Sequence, residues 1–571
     1  MTSFDIVPLL RTEPSGDTGD ARLLNWPVVY VMDDSSSVYV GETLSATSRM
    51  RQHNADRSKD SLASVRVILH DEFNKSVCLD LESFLIRMFA GDGTFEVLNR
   101  NEGVTDAQYF DRERYQADFN VIFESLRSRG LFERTIPQIE NSDLFKFSPF
   151  KALTTDQAVA VENIVEGLLH DYRMPRGKPI VIQGDPGTGK TIVAIYLIKL
   201  LRDIGEGRGT LEPDEDSRFS DFFVSENQEL LERSTVGLVV PQQSLRRTLE
   251  RVFKRVPGLK EVRVLTPFQV GTSETKFDLL IVDEAHRLNH RANQPAGPLN
   301  ALFPRINEKL FGRDDYEFTQ LDWILAQSHH QVLLVDGEQS VRPSDLPSAA
   351  VRELISEAKN GHQFYRLHSQ LRVKAGDDYT AYIRAILRGD SPDPRAFDGY
   401  DLRFFEDLAT MREEVLARDA EAGLSRMVAG YAWEWQSRKN PAAFDIELDG
   451  VALRWNSTQT DWINSPGSLD EVGSIHTVQG YDLNYAGVII GPDLRYEPGR
   501  GIWFDRTSYF DKKGMEDNRK RGIRYSDDDI LEYVKNIYGV LLTRGIRGTY
   551  VYVCDGGLRE YLRPYFGRTR A

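Results

Sequence analysis

The 571-residue sequence predicts an α/β protein, a small αβ domain followed by two larger domains that are each a doubly wound parallel sheet. Two observations carry that prediction. From about residue 147 onward, short apolar runs rich in valine and isoleucine alternate with helical patterns: "PIVIQG", "TVGLVVP", "FDLLIVDE", "QVLLVDG", "AGVIIGP" and "TYVYVCD". Strands that are apolar throughout belong to parallel sheets covered on both faces, and there are enough here for two. The N-terminal region reads differently, as two short strands joined by a polar "DDSSS" turn and followed by helices.

The bulk numbers fit several domains. A chain of this length exceeds one hydrophobic core. Hydrophobic content of 40% and charged content of 28% describe an ordinary globular protein. Cys78 and Cys554 are too few for a disulfide framework or a four-ligand zinc site, and read as small core residues. No apolar run approaches the ~18 residues of a membrane span, and the first thirty residues lack a signal-peptide core, so a cytoplasmic protein with no membrane partner is expected. A net charge of −16 argues against a broadly basic nucleic-acid-binding surface, but much of the acid lies in loop-like runs at Glu212–Asp221 and Tyr525–Asp529. A basic groove can coexist with them.

In chain order, residues 1–24 read as a polar lead-in that includes Thr12–Asp20. The domain 25–103 opens with "WPVVYVMDDSSSVYVGETLSATSRMRQH" (Trp26–His53), which places Tyr30 and Tyr39 on its two strands. Arg49 and His53 follow four apart, on one face of a helix. "CLDLESFLIRMFAG" carries Glu82 among apolar neighbours, and "FEVLNRNEG" ends a strand at Asn99. Taken singly these are a strand tyrosine, a surface pair and a helix acid. Together they form a coherent set for phosphodiester hydrolysis. A carboxylate with few protein partners suits Mg²⁺, Arg49 could neutralise transition-state charge, and a tyrosine or histidine could take the water's proton.

A helical connector, 104–146, is built on "YFDRERYQADFNVIFESL". The first parallel-sheet domain, 147–350, holds the most specific motif of the chain. "VIQGDPGTGKT" is a strand, a glycine loop and a helix start, and Gly184, Asp185, Pro186, Gly187, Thr188, Gly189, Lys190 and Thr191 fit G-x-x-x-x-G-K-[ST]. Such a loop wraps backbone N–H groups around phosphates, with Lys190 on the terminal phosphates and Thr191 on Mg²⁺. The strand "KFDLLIVDEAH" ends in Asp283, placed to coordinate Mg²⁺, and Glu284, placed to polarise the attacking water. Gln157, at a helix start, could read an adenine edge, and Gln339 in "LLVDGEQSVRPSD" could sense phosphate. ATP with Mg²⁺ is the expected cofactor pair. The last domain, 351–571, offers Arg372 in "LHSQLRV", Gln479, Gly480 and Asp482 in "SIHTVQGYDLNYAGVII", and Arg544 in "YGVLLTRGIRGTYVYV".

That order of motifs resembles a superfamily 1 helicase over roughly 150–571. "DEAH" alone would suit superfamily 2, but no Q-x-x-G-R-x-x-R element accompanies it, and "VQG" with "LTR" favours superfamily 1. The resemblance implies two RecA-like domains, with Arg372 and Arg544 as arginine fingers and Gln479, Gly480 and Asp482 near the nucleotide or nucleic acid. More narrowly, "VIQGDPGTGKT", "LHSQLRV" and "GYAWEW" (Gly430–Trp435) resemble the Schlafen-type helicase domain of prokaryotes. Residues 25–103 resemble the GIY-YIG nucleases: "VVY" stands for GIY, with Val28 replacing the first glycine, and Tyr39–Gly41 stands for YIG. By that resemblance Glu82 is the sole protein ligand of Mg²⁺ or Mn²⁺, Arg49 contacts phosphate, and Tyr30 or Tyr39 orients water. The expectation is an ATP-driven helicase fused to an endonuclease, acting on nucleic acid, DNA before RNA, in a setting such as defence against foreign DNA. The alternative is an ATP-gated switch that controls the nuclease without unwinding.

Overall fold

The computed structural model describes residues 4–9, 20–54, 61–99, 109–150, 153–174, 177–207, 218–291, 294, 297–336, 342–368, 376–458, 461–478 and 481–567. They form two compact units. One comprises Met1–His170, Thr191–Ser234 and Leu249–Val262, the other Asp171–Lys190, Thr235–Thr248 and Arg263–Ala571.

The first unit contains a five-stranded sheet of β1 (Phe4–Pro8), β2 (Val28–Asp33), β3 (Ser37–Thr43), β4 (Ser64–His70) and β5 (Glu96–Val97), in the order β1-β4-β2-β3-β5. The polar turn closes the β2–β3 hairpin because Asp34 Oδ1 accepts from the backbone N–H of Ser36 (2.6 Å) and Ser37 (2.7 Å). Pairing sets Tyr30 opposite Gly41 and Met32 opposite Tyr39. Val28, at the position of the missing glycine, is a fully buried core residue, packed in a cluster with Met50, Val67 and Leu69. The lead-in does more than the sequence suggested. It supplies β1, antiparallel to β4, and Arg22 ion-pairs with Asp5, Asp20 and Asp71. The connector helices also belong to this unit, with Phe119 and Phe132 packed on Phe84 and Phe89 of the Lys75–Asp92 helix.

The second unit holds two parallel sheets. The first is β6 (Ile180–Gly184), β7 (Val236–Val239), β8 (Arg263–Leu265), β9 (Phe277–Val282), β10 (Ser328–Val335) and β11 (Phe364–Leu367), in the order β11-β6-β10-β9-β7-β8. All its neighbours run parallel. The apolar runs that predicted it are fully buried, as in Leu279–Val282 and Val332–Val335. Its edge strand β11 lies beyond residue 350, where the sequence reading placed the domain's end. The reason is register: Leu367 pairs with Gly184, so four residues of weak strand pattern complete this sheet.

The second sheet uses β12 (Asp401–Phe404), β13 (Ser425–Ala429), β14 (Ile446–Leu448), β15 (Val451–Trp455), β16 (Glu471–Ser474) and β17 (Leu483–Ile490). A separate hairpin, β18 (Leu494–Glu497) and β19 (Gly501–Phe504), precedes the last strand, β20 (Gly545–Val553). The order is β12-β20-β17-β13-β16-β15-β14, parallel except for β14. Separate apolar clusters cover its two faces, one including Ile383, Val534 and Leu558, the other Met411, Val415 and Trp455. "GYAWEW" is part of this packing. Tyr431 and Trp433 set their rings against Trp455, and Gly430 leaves room for Tyr538. Among the described residues no helix is long and apolar enough to cross a membrane.

Candidate functional site

The phosphate loop leaves β6 at Gly184 and enters the Lys190–Gly205 helix. Gly187 (φ 89°) and Gly189 (φ 76°) take left-handed backbone conformations that side chains disfavour, which turns the loop tightly. Thr188 closes it by donating from its hydroxyl to Asp185 O at 2.9 Å. Lys190 folds back, its Nζ donating to Gly184 O (2.6 Å) and Asp185 O (3.1 Å), with Asp336 Oδ2 at 3.7 Å. A buried cation thus stands at the centre of a loop built for anions.

Asp283, fully buried, follows β9, and its Oδ1 accepts from the N–H of Glu284 at 3.0 Å. Glu284 itself has φ 52°, a left-handed conformation that costs a non-glycine residue about 1–3 kcal/mol. That strain aims its carboxylate. Oε2 faces His286 Nε2 at 3.0 Å and Arg287 Nε at 3.7 Å. The N–H of Asp336 donates to His286 Nδ1 (3.1 Å), so Nε2 is the nitrogen that bears the hydrogen in the neutral ring. Burial opposes the charge on Glu284, but His286, Lys190 and Arg287 outweigh it and hold the carboxyl well below the usual range.

From the second sheet's side of this unit, Arg544 donates to Tyr481 O at 3.1 Å, and the Tyr481 hydroxyl meets Thr248 Oγ1 at 2.8 Å. Arg342, in the first sheet's lobe, bonds His476 and lies 3.6 Å from Asp511. Burial, with Arg342 beside it, depresses the His476 imidazole to about 4, so it is neutral at physiological pH. Arg384 ion-pairs with Asp185 of the phosphate loop at 3.1 Å. Sequence reasoning singled out none of Tyr481, His286, Arg342 or Arg384. The "DEAH" string contained His286, and its spacing from Glu284 was the available signal.

Of the other candidates, Asp482 is half-buried beside Tyr481. Gln157 sits in the first turn of the Thr155–Asp171 helix, where its Oε1 accepts from Thr154 N at 3.0 Å. Thr191 follows Lys190 in its helix. Gln339, Arg372, Gln479 and Gly480 lie outside the described residues.

In the first unit, the Tyr30 hydroxyl is bracketed. Arg49 Nε donates to it at 3.3 Å, and it lies 2.8 Å from His53 Nε2. The Tyr39 ring stands 6.2 Å from Tyr30 and 5.5 Å from His53. A Cβ on Gly41 would collide with the Tyr30 hydroxyl, which gives the glycine of "YVG" its reason. Asn99 is architectural, its side-chain amide both accepting from and donating to the backbone of Val40 (3.0 and 2.7 Å). Glu82 is buried on the Lys75–Asp92 helix, near enough, with Glu42, that both raise the Cys78 thiol that burial has already pushed up.

A phosphate loop after β6, paired acids after β9, separated from β6 by β10 in the same sheet, and two parallel sheets define a P-loop nucleotide-binding protein of two-lobed type. Residues 178–555 match the Schlafen group 3, DNA/RNA helicase domain, and the chain belongs to that family. It is 26% identical over 417 residues to the uncharacterized protein YPL245W of Saccharomyces cerevisiae, spanning 67% of this chain and 84% of the relative. Among solved structures, it aligns with an arterivirus nonstructural protein 10 (helicase) in complex with DNA, at 14% identity and a TM-score of 0.26. That alignment covers 68% of this chain and 63% of the viral one, so the chain spans less than two thirds of it.

Proposed function

We propose that the chain is an ATP-dependent nucleic-acid helicase or translocase joined to a divalent-metal-dependent endonuclease. One observation supports the first half: the buried Lys190 ammonium lies folded into a tight glycine loop, donating to Gly184 O and Asp185 O with Asp336 3.7 Å away, where phosphate oxygens can replace those carbonyls. Mg²⁺ fits a hard carboxylate such as that of Asp283, because it accepts few protein oxygens and completes its shell with phosphate and water. When bound it neutralises phosphate charge. Lys190 exchanges the loop carbonyls for phosphate oxygens, and Glu284, oriented by His286, holds the attacking water in line. A loose phosphoryl transition state needs the water positioned more than deprotonated early, a role a carboxylate at Glu284 can fill.

Support for the nuclease is the Tyr30–Arg49–His53 arrangement, in which a phenol accepts from a guanidinium and can pass its proton to an imidazole. Glu82 would hold Mg²⁺ or Mn²⁺, with Arg49 facing the phosphate. The test is ATP hydrolysis by the full chain against single- and double-stranded DNA and RNA, with cleavage scored in the same reactions. Stimulation by nucleic acid, DNA before RNA, is expected, and Lys190→Ala should lower the rate at least ~100-fold. Absence of hydrolysis with every nucleic acid would refute the proposal.

A further inference from the structure

Asp185 is a liability in a phosphate loop. It follows Gly184 directly, and its carboxylate is about half exposed (47%) at the mouth of a loop that must accept a polyanion. Like charge at that distance opposes binding. The structure supplies a counter-charge from far along the chain. Arg384, on the Asp377–Arg388 helix, sets Nη1 3.1 Å from Asp185 Oδ1, across a sequence separation of 199 residues. A half-exposed ion pair contributes little to stability, so fold maintenance is a weak reason for it. Its location is informative. The pair borders a cleft of about 640 Å³ that Pro186 of the loop lines together with Arg384, Arg388 and Lys535, and with Asp528, Asp529 and Glu532, so Arg384 is the cation of this mixed lining that reaches the loop. The cleft is large enough for a small-molecule ligand, and the guanidinium enters it from the lobe opposite the loop. A guanidinium binds phosphate oxygens in a fork as readily as it binds a carboxylate.

We propose that Arg384 is a residue of the nucleotide site that distinguishes triphosphate from diphosphate, neutralising Asp185 in the nucleotide-free loop and turning to the terminal phosphate when a triphosphate binds. This rests on reading Gly184–Thr191 as the ATP site. Arg544 and the Glu284 cluster belong to separate contacts, so Arg384 adds a cation that their geometry does not provide.

The experiment is a binding cycle on the full chain, with ADP and a non-hydrolysable ATP analogue as probes. It compares wild type, Arg384→Gln, Asp185→Asn and the double variant, each checked for an unchanged melting temperature. Arg384→Gln should weaken the analogue more than ADP by about tenfold, the worth of a hydrogen bond to a charged group. The double variant should show the same loss of preference relative to Asp185→Asn, because the contact with the terminal phosphate is missing in both. If the double variant instead regains the wild-type preference, Arg384 serves only to neutralise Asp185, and the proposal is overturned. Equal weakening of both nucleotides by Arg384→Gln overturns it too, as does no weakening. Arg384→Lys, which keeps the charge but not the fork, should fall between wild type and Arg384→Gln if either variant melts early. Lys190→Ala separates the two levels of failure. If it binds the analogue as wild type does, the ATP-site reading has failed; if it loses the analogue while Arg384→Gln keeps it, only the role of Arg384 has.

Discussion

Glu284 spends backbone strain to face His286, and that makes the pair testable. Glu284→Gln keeps size and hydrogen bonding but removes the charge, so ATP should bind and hydrolysis should fall by at least ~100-fold. Loss of binding together with turnover would mark the residue as structural. His286→Ala removes the group that orients the carboxylate; kcat should drop by about tenfold with little change in KM, the signature of an interaction made in the transition state. A different residue predicts pH dependence. Asp493, fully buried after β17, accepts from the Tyr538 hydroxyl at 2.6 Å. Burial pushes its carboxyl up to about 7 from an ordinary 3.8. A folded-state value raised above the unfolded one means stability that is complete below 3.8 and lost as pH rises through 7, about 4 kcal/mol if the whole shift is expressed. Asp493→Asn cannot ionise, so it should raise the melting temperature over wild type more at pH 8 than at pH 5. The same difference at both pH values would show that Asp493 does not titrate in the fold.

At the scale of elements, the β2–β3 hairpin depends on a contact that only glycine permits. Gly41→Ala places a methyl group against the Tyr30 hydroxyl, so the ring must leave its position beside His53. The expected cost is about 1–3 kcal/mol, read as an earlier melting transition, together with loss of any cleavage activity. An unchanged melting temperature would mean that the ring relaxes without strain. The same hairpin shows what was legible. Its two strands, its turn and the placing of one tyrosine on each strand followed from apolar pattern and turn chemistry, as did β6, β9, β10, β17 and β20. β1 escaped because a single five-residue strand inside a polar lead-in gains its meaning only from β4, and such pairing has no local signature. β11 escaped for a similar reason, since "FYRL" becomes a strand through its register with β6. Arg384 reads in sequence as one more solvated arginine on an amphipathic helix; only the fold brings it to Asp185. The phosphate loop, by contrast, needs its residues consecutively, and so it was readable in full.

For the whole molecule, the decisive matter is whether one chain carries two separable chemistries. The residues assigned to them fall in different compact units: Tyr30, Arg49, His53 and Glu82 in the first, Lys190, Asp283 and Glu284 in the second. If each set works by its own local geometry, a single substitution should silence one activity and spare the other. Glu82→Ala removes the only carboxylate proposed to anchor the nuclease metal. Cleavage in Mg²⁺ or Mn²⁺ should therefore vanish, while ATP hydrolysis continues, because the phosphate loop and its acids are untouched. Arg49→Ala should also lose cleavage, through missing charge stabilisation rather than missing metal, and excess Mn²⁺ should not rescue it. Lys190→Ala should do the reverse to the ATPase. Its effect on cleavage then discriminates the two ways the chain could be organised. Cleavage that persists without ATP turnover describes a nuclease that the ATPase merely delivers. Cleavage that disappears with Lys190→Ala, yet survives in Glu284→Gln with ATP bound, describes a nuclease gated by nucleotide occupancy. If both Glu82→Ala and Arg49→Ala still cut, the first domain is not the nuclease, and its Tyr30–Arg49–His53 cluster serves binding alone.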